Sequence, residues 1–261
     1  RVHGLDERSH VLGRRELASL AGHVDLALGD STYNREELVA LGFAPTGVCP
    51  IFVDTARITD APPRPALEKV LGDGLSNFLF VGRIAPNKKI EDHLQLAEVY
   101  KRYVDTNYRF IFVGKTDAVP SYYASIRAMM ERYQLPADRF WFTGPVPNED
   151  LAAYYRAASA YISLSEHEGF CVPLVEAMAA DVPVLAYAAG AVPETLGGAG
   201  LLFAPKDLEY AAELLGAVAF DVPLRRDVIA GQRARRQAFG DQRLLAALGQ
   251  IAYFFGPYRE A

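Results

Sequence analysis

The sequence predicts an α/β fold organised around a parallel, doubly wound sheet, and two observations lead to this prediction. First, short apolar runs, typical of strands covered on both faces, alternate with longer segments that have a helical pattern. Second, glycines and charged residues follow the apolar runs, where ligands bind beyond the carboxyl ends of parallel strands. With 261 residues, the chain has room for one large domain or two smaller ones.

The composition is that of an ordinary globular chain, with 51% hydrophobic and 23% charged residues. A net charge of −5 argues against a general nucleic-acid-binding protein, although it permits a local basic pocket. Cys49 and Cys171 have no metal-ligand spacing, which favours a reduced, cytoplasmic protein. No apolar run is long enough to span a membrane, and this leaves peripheral contact with the inner membrane face open.

The first 55 residues have the pattern of one βαβ unit that resembles the interior of a longer protein. Residues 14–20 have helical character, and strands are predicted at 24–29 and 48–54. Between these strands, the segment Asp30-Ser31-Thr32 is expected to cap a helix at 33–41 that ends at Gly42. The proline-rich segment 60–65 indicates an extended connector, so a domain boundary is expected near residue 55.

Residues 56–240 are expected to form the doubly wound sheet, and residues 241–261 a C-terminal helical segment. Strands are predicted at 78–81, 109–114, 139–143, 160–162, 182–187 and 200–203. Helices are predicted at 89–104, 121–133, 148–158, 173–180, 208–219 and 223–237, with Asn148 as the cap of the third. A last helix at 241–258 either crosses back to the first 55 residues or covers the edge of the sheet domain.

The most informative stretch is 163–180, a loop with acids and a glycine that joins a predicted buried strand to a helix. Glu168 lies in the loop, where its carboxylate can accept hydrogen bonds from ligand hydroxyls. Glu176 lies in the first turns of the helix, where it can bind the two neighbouring hydroxyls of a ribose. Pro173 is expected in the first turn, whose amides attract anions. Taken singly, each glutamate is also explained as a solvated acid or one that complements the helix dipole.

A second polar segment, Gly82-Arg83-Ile84-Ala85-Pro86-Asn87-Lys88, follows the strand predicted at 78–81. The glycine allows a sharp turn and the close approach of a ligand. Arg83 and Lys88 add two positive charges suited to phosphate, although exposed pairs of this kind are also common on surfaces. Lys115, at the end of the next strand, is a weaker candidate for the same pocket, and Glu194 is expected to cap or brace its own loop, residues 188–194.

Taken together, these stretches resemble the retaining GT-B glycosyltransferases of group 1, also called family 4. Residues 168–176 are similar to the E-x7-E signature of that family, and residues 82–88 are similar to its G-R-x4-K pattern. The segments 31–38 and 50–54 resemble its S-x-x-N-R-x-x-L and P-x-x-V-D strings, so the resemblance covers most of the chain from Val24 onward. It departs at Cys171 and Asp181, where the family usually has glycine.

The resemblance implies a GT-B fold in which 1–55 is the end of an acceptor-side domain and 56–240 binds a nucleotide-diphosphate sugar. It implies transfer of the sugar, with retention, to a glycan or lipid-linked acceptor. Arg83 and Lys88 would hold the diphosphate, Glu168 the sugar and Glu176 the ribose, and the first three are the expected catalytic residues. The expected donor-binding residues are Gly82, Arg83, Lys88, Val146, Glu168, Gly169, Phe170, Cys171, Val172, Leu174, Val175 and Glu176.

No metal or other cofactor is expected, because no D-x-D motif occurs and the cluster of Glu166, His167 and Glu168 has neighbours that point apart in an extended loop. The strings P-I-F-V-D and E-G-F-C-V-P resemble mannosyltransferases of bacterial surface polysaccharides, which favours GDP-mannose, with UDP sugars next. Two alternatives stay open. One is a non-catalytic nucleotide-sugar-binding subunit that needs a partner domain, and the other is a GT-B sugar-nucleotide epimerase.

Overall fold

The computed structural model describes residues 13–256, and the chain divides into two compact units. The first unit consists of Arg1–Phe52 and Gly240–Ala261, and the second is Val53–Phe239. The predicted first segment, 1–55, and the predicted last helix, 241–258, both extend in part outside the described residues.

The first unit contains a short parallel pair of strands and three α-helices within the described residues. Strand β1 (Ala27–Gly29) pairs with β2 (Thr46–Val48), and helix α1 (Thr32–Ala40) connects them. Ser31 caps α1 as predicted, because its hydroxyl accepts a hydrogen bond from the Asn34 amide at 3.1 Å. Residues 13–19 are also helical, as predicted, and helix α11 (Asp241–Phe255) belongs to the same unit.

The strand predicted at 48–54 is wrong, because β2 ends at Val48 and residues 49–54 form no strand. The apolar run has a different origin. Val53 is buried in the second unit, at 6% exposure. Pro50 also lacks the N–H group that a strand would contribute to its ladder.

The sheet of the second unit has six strands within the described residues, and all of them are parallel. They are β3 (Ser76–Val81), β4 (Tyr108–Val113), β5 (Phe140–Gly144), β6 (Ala160–Ser163), β7 (Val184–Tyr187) and β8 (Leu201–Phe203). Their order across the sheet is β5-β4-β3-β6-β7-β8. All six predicted strands are therefore confirmed, with ends that shift by one or two residues.

The helices of the second unit lie between these strands. They are α2 (Ala56–Thr59), α3 (Pro65–Leu71), α4 (Ile90–Tyr103), α5 (Pro120–Arg132), α6 (Asn148–Ala157), α7 (Val172–Ala179), α8 (Val192–Leu196), α9 (Leu208–Phe220) and α10 (Val222–Arg236). The sequence did not predict α2, α3 or α8. The predicted cap at Asn148 is wrong, because Pro147 takes the cap position and its carbonyl accepts the Leu151 amide at 3.0 Å.

Aromatic side chains form much of the core on one face of this sheet. Phe78 and Phe80 on β3 pack beside Phe110 and Phe112 on β4, and all four are at most 2% exposed. Their rings make tilted, edge-on and stacked contacts with each other and with Tyr100 of α4. Buried rings of this size contribute much of the apolar area that stabilises a sheet domain.

The strand order places two loops side by side. The chain runs outward from β3 through β4 to β5, and then returns to the other side of β3 to form β6. The loops after β3 and β6 therefore leave the same edge of the sheet as neighbours. This is the point of an open α/β sheet where the winding reverses and a crevice opens for a ligand.

Candidate functional site

The loop after β3 is fixed by close backbone contacts with the next strand. The Gly82 amide donates to Val113 O at 2.9 Å, and the Ile84 amide donates to Lys115 O at 2.9 Å. Gly114 has a φ of +143°, and a side chain there would collide with the Gly82 carbonyl. A glycine is therefore required at 114 for the two strand ends to meet, and the loop that carries the basic residues has little freedom.

The two predicted basic residues of this loop differ in their surroundings. Arg83 is exposed and forms no ion pair within residues 13–256. Lys88 points into the crevice and contacts Glu168 of the neighbouring loop, with Nζ and Oε1 2.6 Å apart. Their side chains are only 16% and 8% exposed. The structure thus brings together two of the three predicted catalytic residues, across the switch point of the sheet.

The loop after β7 supports the backbone of Glu168. Ala191 N–H donates to Glu168 O at 2.8 Å, and the Thr195 hydroxyl donates to Phe170 O at 2.6 Å. Gly190 has a φ of +57°, and a side chain there would meet Glu168 O and lie 2.9 Å from Glu168 N. The sequence singled out this loop for Glu194, but Gly190 is the residue whose lack of a side chain lets the loop reach Glu168.

A cluster of ion pairs at the loop after β6 joins three segments of the chain. Glu166 lies 3.2 Å from both Lys89 and Lys206, and Lys206 also lies 2.5 Å from Asp92. Burial opposes ionisation of Glu166, but the hydrogen bonds from the two lysines outweigh it and lower the pKa of the carboxyl. Sequence reasoning missed Lys206, because it lies 40 residues from Glu166 and in no motif.

Helix α7 begins as predicted with Pro173 in its first turn, but its start is strained. Cys171 precedes the helix with a φ of +67°, a left-handed conformation that favours glycine. Asp181, just after the helix, has a φ of +56°. The two positions where this chain departs from the glycines of the family are therefore both left-handed, which gives a physical reason for the usual glycines.

At this helix start, not every backbone position has an N–H group free to bind a ligand. Pro173 has no N–H group, and the Leu174 amide donates to Cys171 O at 3.0 Å. The side chains of Leu174 and Val175 are fully buried, while Gly169 and Val172 are half-buried. Burial raises the pKa of the Cys171 thiol, and the nearby Glu168 carboxylate raises it further, so the thiol stays protonated.

Glu176 lies within this helix and is almost fully enclosed, at 1% exposure. The Tyr155 hydroxyl donates to its Oε2 at 2.8 Å, and the Arg57 guanidinium contacts its Oε1. Burial raises the pKa of the Tyr155 hydroxyl well above its usual value, and the charge of Glu176 adds to the shift. Neither Arg57 nor Tyr155 was predicted from the sequence, because they lie 119 and 21 residues from Glu176.

Val146, one of the predicted donor-binding residues, follows β5, a strand that β4 separates from β3. It lines a groove of about 620 Å³ along the outer edge of β5, together with Tyr123, Trp141 and Tyr154. None of the residues of the E-x7-E stretch lines that groove. A role of Val146 in donor binding therefore stays a prediction.

Across residues 13–256, no three His, Cys, Asp or Glu side chains are grouped so that they could hold a metal ion. In the same range, every helix is too short or too polar to cross a membrane.

Comparison with known proteins points to one family of enzymes. Residues 69–235 match the family described as "Glycosyl transferases group 1". The O-antigen chain mannosyltransferase B of Escherichia coli is 28% identical over 205 residues, which cover 75% of this chain and 52% of that protein. The 2-deoxystreptamine glucosyltransferase of Streptomyces kanamyceticus is 33% identical over 204 residues, which cover 74% of this chain and 50% of that protein.

Solved structures resemble the fold as well. Anabaena Alr3699/HepE, crystallised with UDP and glucose, aligns with a TM-score of 0.76 and 20% identity, over 93% of this chain and 66% of that one. This chain spans about half the length of the curated relatives it matches. Because the family match covers more than half of the chain, this chain belongs to the group 1 glycosyltransferases, and its parallel sheet and its solved neighbours show their GT-B fold.

Proposed function

We propose that this chain forms the donor-binding part of a retaining glycosyltransferase that uses GDP-mannose. The single observation that carries the proposal is the contact between Lys88 and Glu168 across the switch point of the sheet. A cation and a carboxylate from neighbouring strand ends are the two groups that a sugar diphosphate needs, one for its phosphates and one for its sugar hydroxyls.

In this proposal the leaving diphosphate is bound by Lys88 and Arg83. Negative charge builds up on the β-phosphate as the bond between the anomeric carbon and the phosphate oxygen breaks, and the two cations stabilise it. Lys88 is already oriented, while the exposed Arg83 is free to fold over the phosphates. The pair between Lys88 and Glu168 opens when the donor enters, so that Lys88 turns to phosphate and Glu168 to the sugar.

The remaining chemistry needs no further base from this chain. The acceptor hydroxyl forms the new bond to the anomeric carbon, and its proton passes to an oxygen of the departing phosphate. The products are the glycosylated acceptor and the nucleoside diphosphate. Transfer on the face that the donor leaves gives retention, which proton NMR of the product's anomeric hydrogen would test directly.

GDP-mannose is the proposed donor because one similar protein is named a mannosyltransferase. Another relative is named a glucosyltransferase, and one solved neighbour binds UDP, so UDP-glucose is the competing donor. The proposed acceptor is a glycan or lipid-linked saccharide of a surface polysaccharide or glycolipid, reached from the cytoplasmic side. No metal takes part in this proposal.

Calorimetric titration of the full chain with GDP, UDP and ADP, in the presence of a chelator, tests the proposed donor site. We expect GDP to bind about tenfold more tightly than UDP or ADP, and Lys88→Met to weaken GDP binding about tenfold or more, the loss of one charge-assisted bond. Lys101→Met removes an exposed lysine of α4 and is the matched control. Preferential binding of UDP would overturn GDP-mannose, and binding of none of the three would overturn the donor site.

A further inference from the structure

The carboxylate of Glu176 is held from two directions. Tyr155, on α6, donates its hydroxyl to Oε2 at 2.8 Å, while the guanidinium of Arg57, on α2, contacts Oε1. Glu176 is 1% exposed, and the Arg57 side chain is 38% exposed. Arg57 is thus the neighbour of this carboxylate that lies towards solvent, and Tyr155, fully buried, is the neighbour on the protein side.

Arg57 lies in the short helix α2, which is fixed in place by its neighbours. Ile58, the next residue, is 2% exposed and fixes α2 to the body of the second unit. The Asp54 carboxylate accepts the Ala56 amide at 3.1 Å and so supports the first turn. An arginine side chain that is more than one-third exposed gains little from a surface ion pair, but here its partner is an enclosed carboxylate, which needs a donor on each oxygen to offset its burial.

The two donors leave a defined part of the carboxylate unused. A carboxylate has about four acceptor positions, two on each oxygen. Arg57 occupies one position on Oε1 and Tyr155 occupies one on Oε2, which leaves one position on each oxygen. These two free positions, one on each oxygen, match in number the two neighbouring hydroxyls of a ribose.

We propose that Arg57 is a positioning residue that, together with Tyr155, orients Glu176 towards the 2′- and 3′-hydroxyls of the donor's ribose. This inference rests on the proposed function, since it assigns a role in the same donor site. It predicts that Arg57 acts on recognition of the ribose diol and not on affinity for nucleotides in general. Discrimination between a ribonucleotide and its 2′-deoxy form is therefore the quantity to measure.

The experiment compares the dissociation constants of GDP and 2′-deoxy-GDP for the full chain by calorimetry. If UDP is the tighter ligand, UDP and 2′-deoxy-UDP replace them. We expect the unaltered chain to prefer the ribonucleotide by about tenfold or more, the factor of one hydrogen bond to a charged group. Arg57→Ala and Tyr155→Phe should each bring this ratio close to one, and Arg57→Lys should retain part of it.

Arg156→Ala is the matched control, because Arg156 is 35% exposed and pairs with Glu68 in the same unit. It should leave the ratio unchanged. If Arg57→Ala weakens both nucleotides equally, Arg57 supports only the fold of the site, and if it tightens both equally, Arg57 obstructs the site; either result overturns the inference. Should Arg57→Ala fail to fold, the ratios of Arg57→Lys and Tyr155→Phe decide the question.

Failure of the proposed function gives a different result. In that case the unaltered chain binds none of the nucleotides, and this inference fails with it. A chain that binds nucleotides but shows the same ratio in every variant overturns only the role of Arg57 and leaves the donor site intact.

Discussion

Glu168 and Glu176 belong to one stretch of sequence, yet the protein holds them in different ways. Glu168 sits in a loop, and the partner of its carboxylate is Lys88, itself a residue proposed to bind the donor. Glu176 sits in a helix, and its partners Arg57 and Tyr155 come from two other helices of the same unit. In the proposed function the first carboxylate exchanges its partner when the donor enters, whereas the second keeps partners from the scaffold.

The difference fits the separate tasks proposed for the two ends of the stretch. A carboxylate whose position depends on neighbouring loops can follow the sugar as the reaction proceeds. A carboxylate locked between a tyrosine and an arginine suits recognition of a part of the donor that does not react. Binding energy from such a non-reacting part is what an enzyme uses to orient the reacting bond.

The largest expected effect comes from breaking the backbone support of Glu168. Gly190→Ala places a methyl group against Glu168 O and 2.9 Å from Glu168 N, in a left-handed conformation. Backbone cannot yield as a side chain can, so we expect a loss of about 4 kcal/mol in the free energy of unfolding, measured in urea.

Gly198→Ala is the control for this prediction, because Gly198 has a φ of +85° and an open site around its missing side chain. It should cost only about 1 kcal/mol, the expense of the left-handed conformation. Equal losses in the two variants would show that Gly190 matters for its φ alone and that Glu168 does not depend on this contact.

The next prediction compares substitutions that remove the charge of Glu168 or of Glu176. Glu168→Gln keeps the shape of the side chain but removes the charge that pairs with Lys88, and we expect sugar transfer to slow about 100-fold while nucleotide affinity changes little. Glu176→Gln should do the reverse and weaken the nucleotide about tenfold. Steady-state kinetics and calorimetry on both variants measure the split.

Glu209→Gln, on the exposed surface of α9, is the control for both variants and should change neither quantity. Variants of Glu168 and Glu176 that lose the same property to the same degree would contradict the division of tasks between the two ends of the stretch.

A pH effect arises from a buried histidine next to the segment that carries Lys88 and Lys89. His93 of α4 is fully buried, and its Nδ1 lies 2.9 Å from the carbonyl of Lys89, which ends the basic loop. Burial lowers the pKa of His93 to about 4, from 6.5. Because the unfolded state binds the proton more readily, stability present above pH 6.5 is lost as the pH falls towards 4, by about 2 kcal/mol between pH 7 and 5.

Urea unfolding at pH 7 and pH 5 tests this assignment. His93→Leu should remove that part of the pH dependence, and His23→Gln, at an exposed position, should leave it unchanged. An identical pH dependence in His93→Leu would show that other groups cause the loss.

The sheet could be predicted from the sequence because its strands are continuous apolar runs. Lys88 and Glu168 could be predicted because both lie where such strands end. It did not reveal Arg57, whose helix of four residues follows a segment without periodicity and whose partner is 119 residues away. It also misplaced a strand at 48–54, where burial of Val53 produced the same apolar pattern as a strand. Contacts of long sequence separation leave no local pattern, and these were the ones missed.

The smallest expected effect concerns Cys171, which connects the two ends of the stretch. Gln134 has a φ of +49° at an exposed position, so Gln134→Gly should gain about 1 kcal/mol in the free energy of unfolding by relieving left-handed strain. Cys171→Gly relieves the same strain at a φ of +67° but also removes a buried side chain, so we expect a net change near zero. Urea unfolding of both variants measures the difference, and an equal gain in Cys171→Gly would show that the packing of the thiol does not help to hold Glu168 and Glu176 in place.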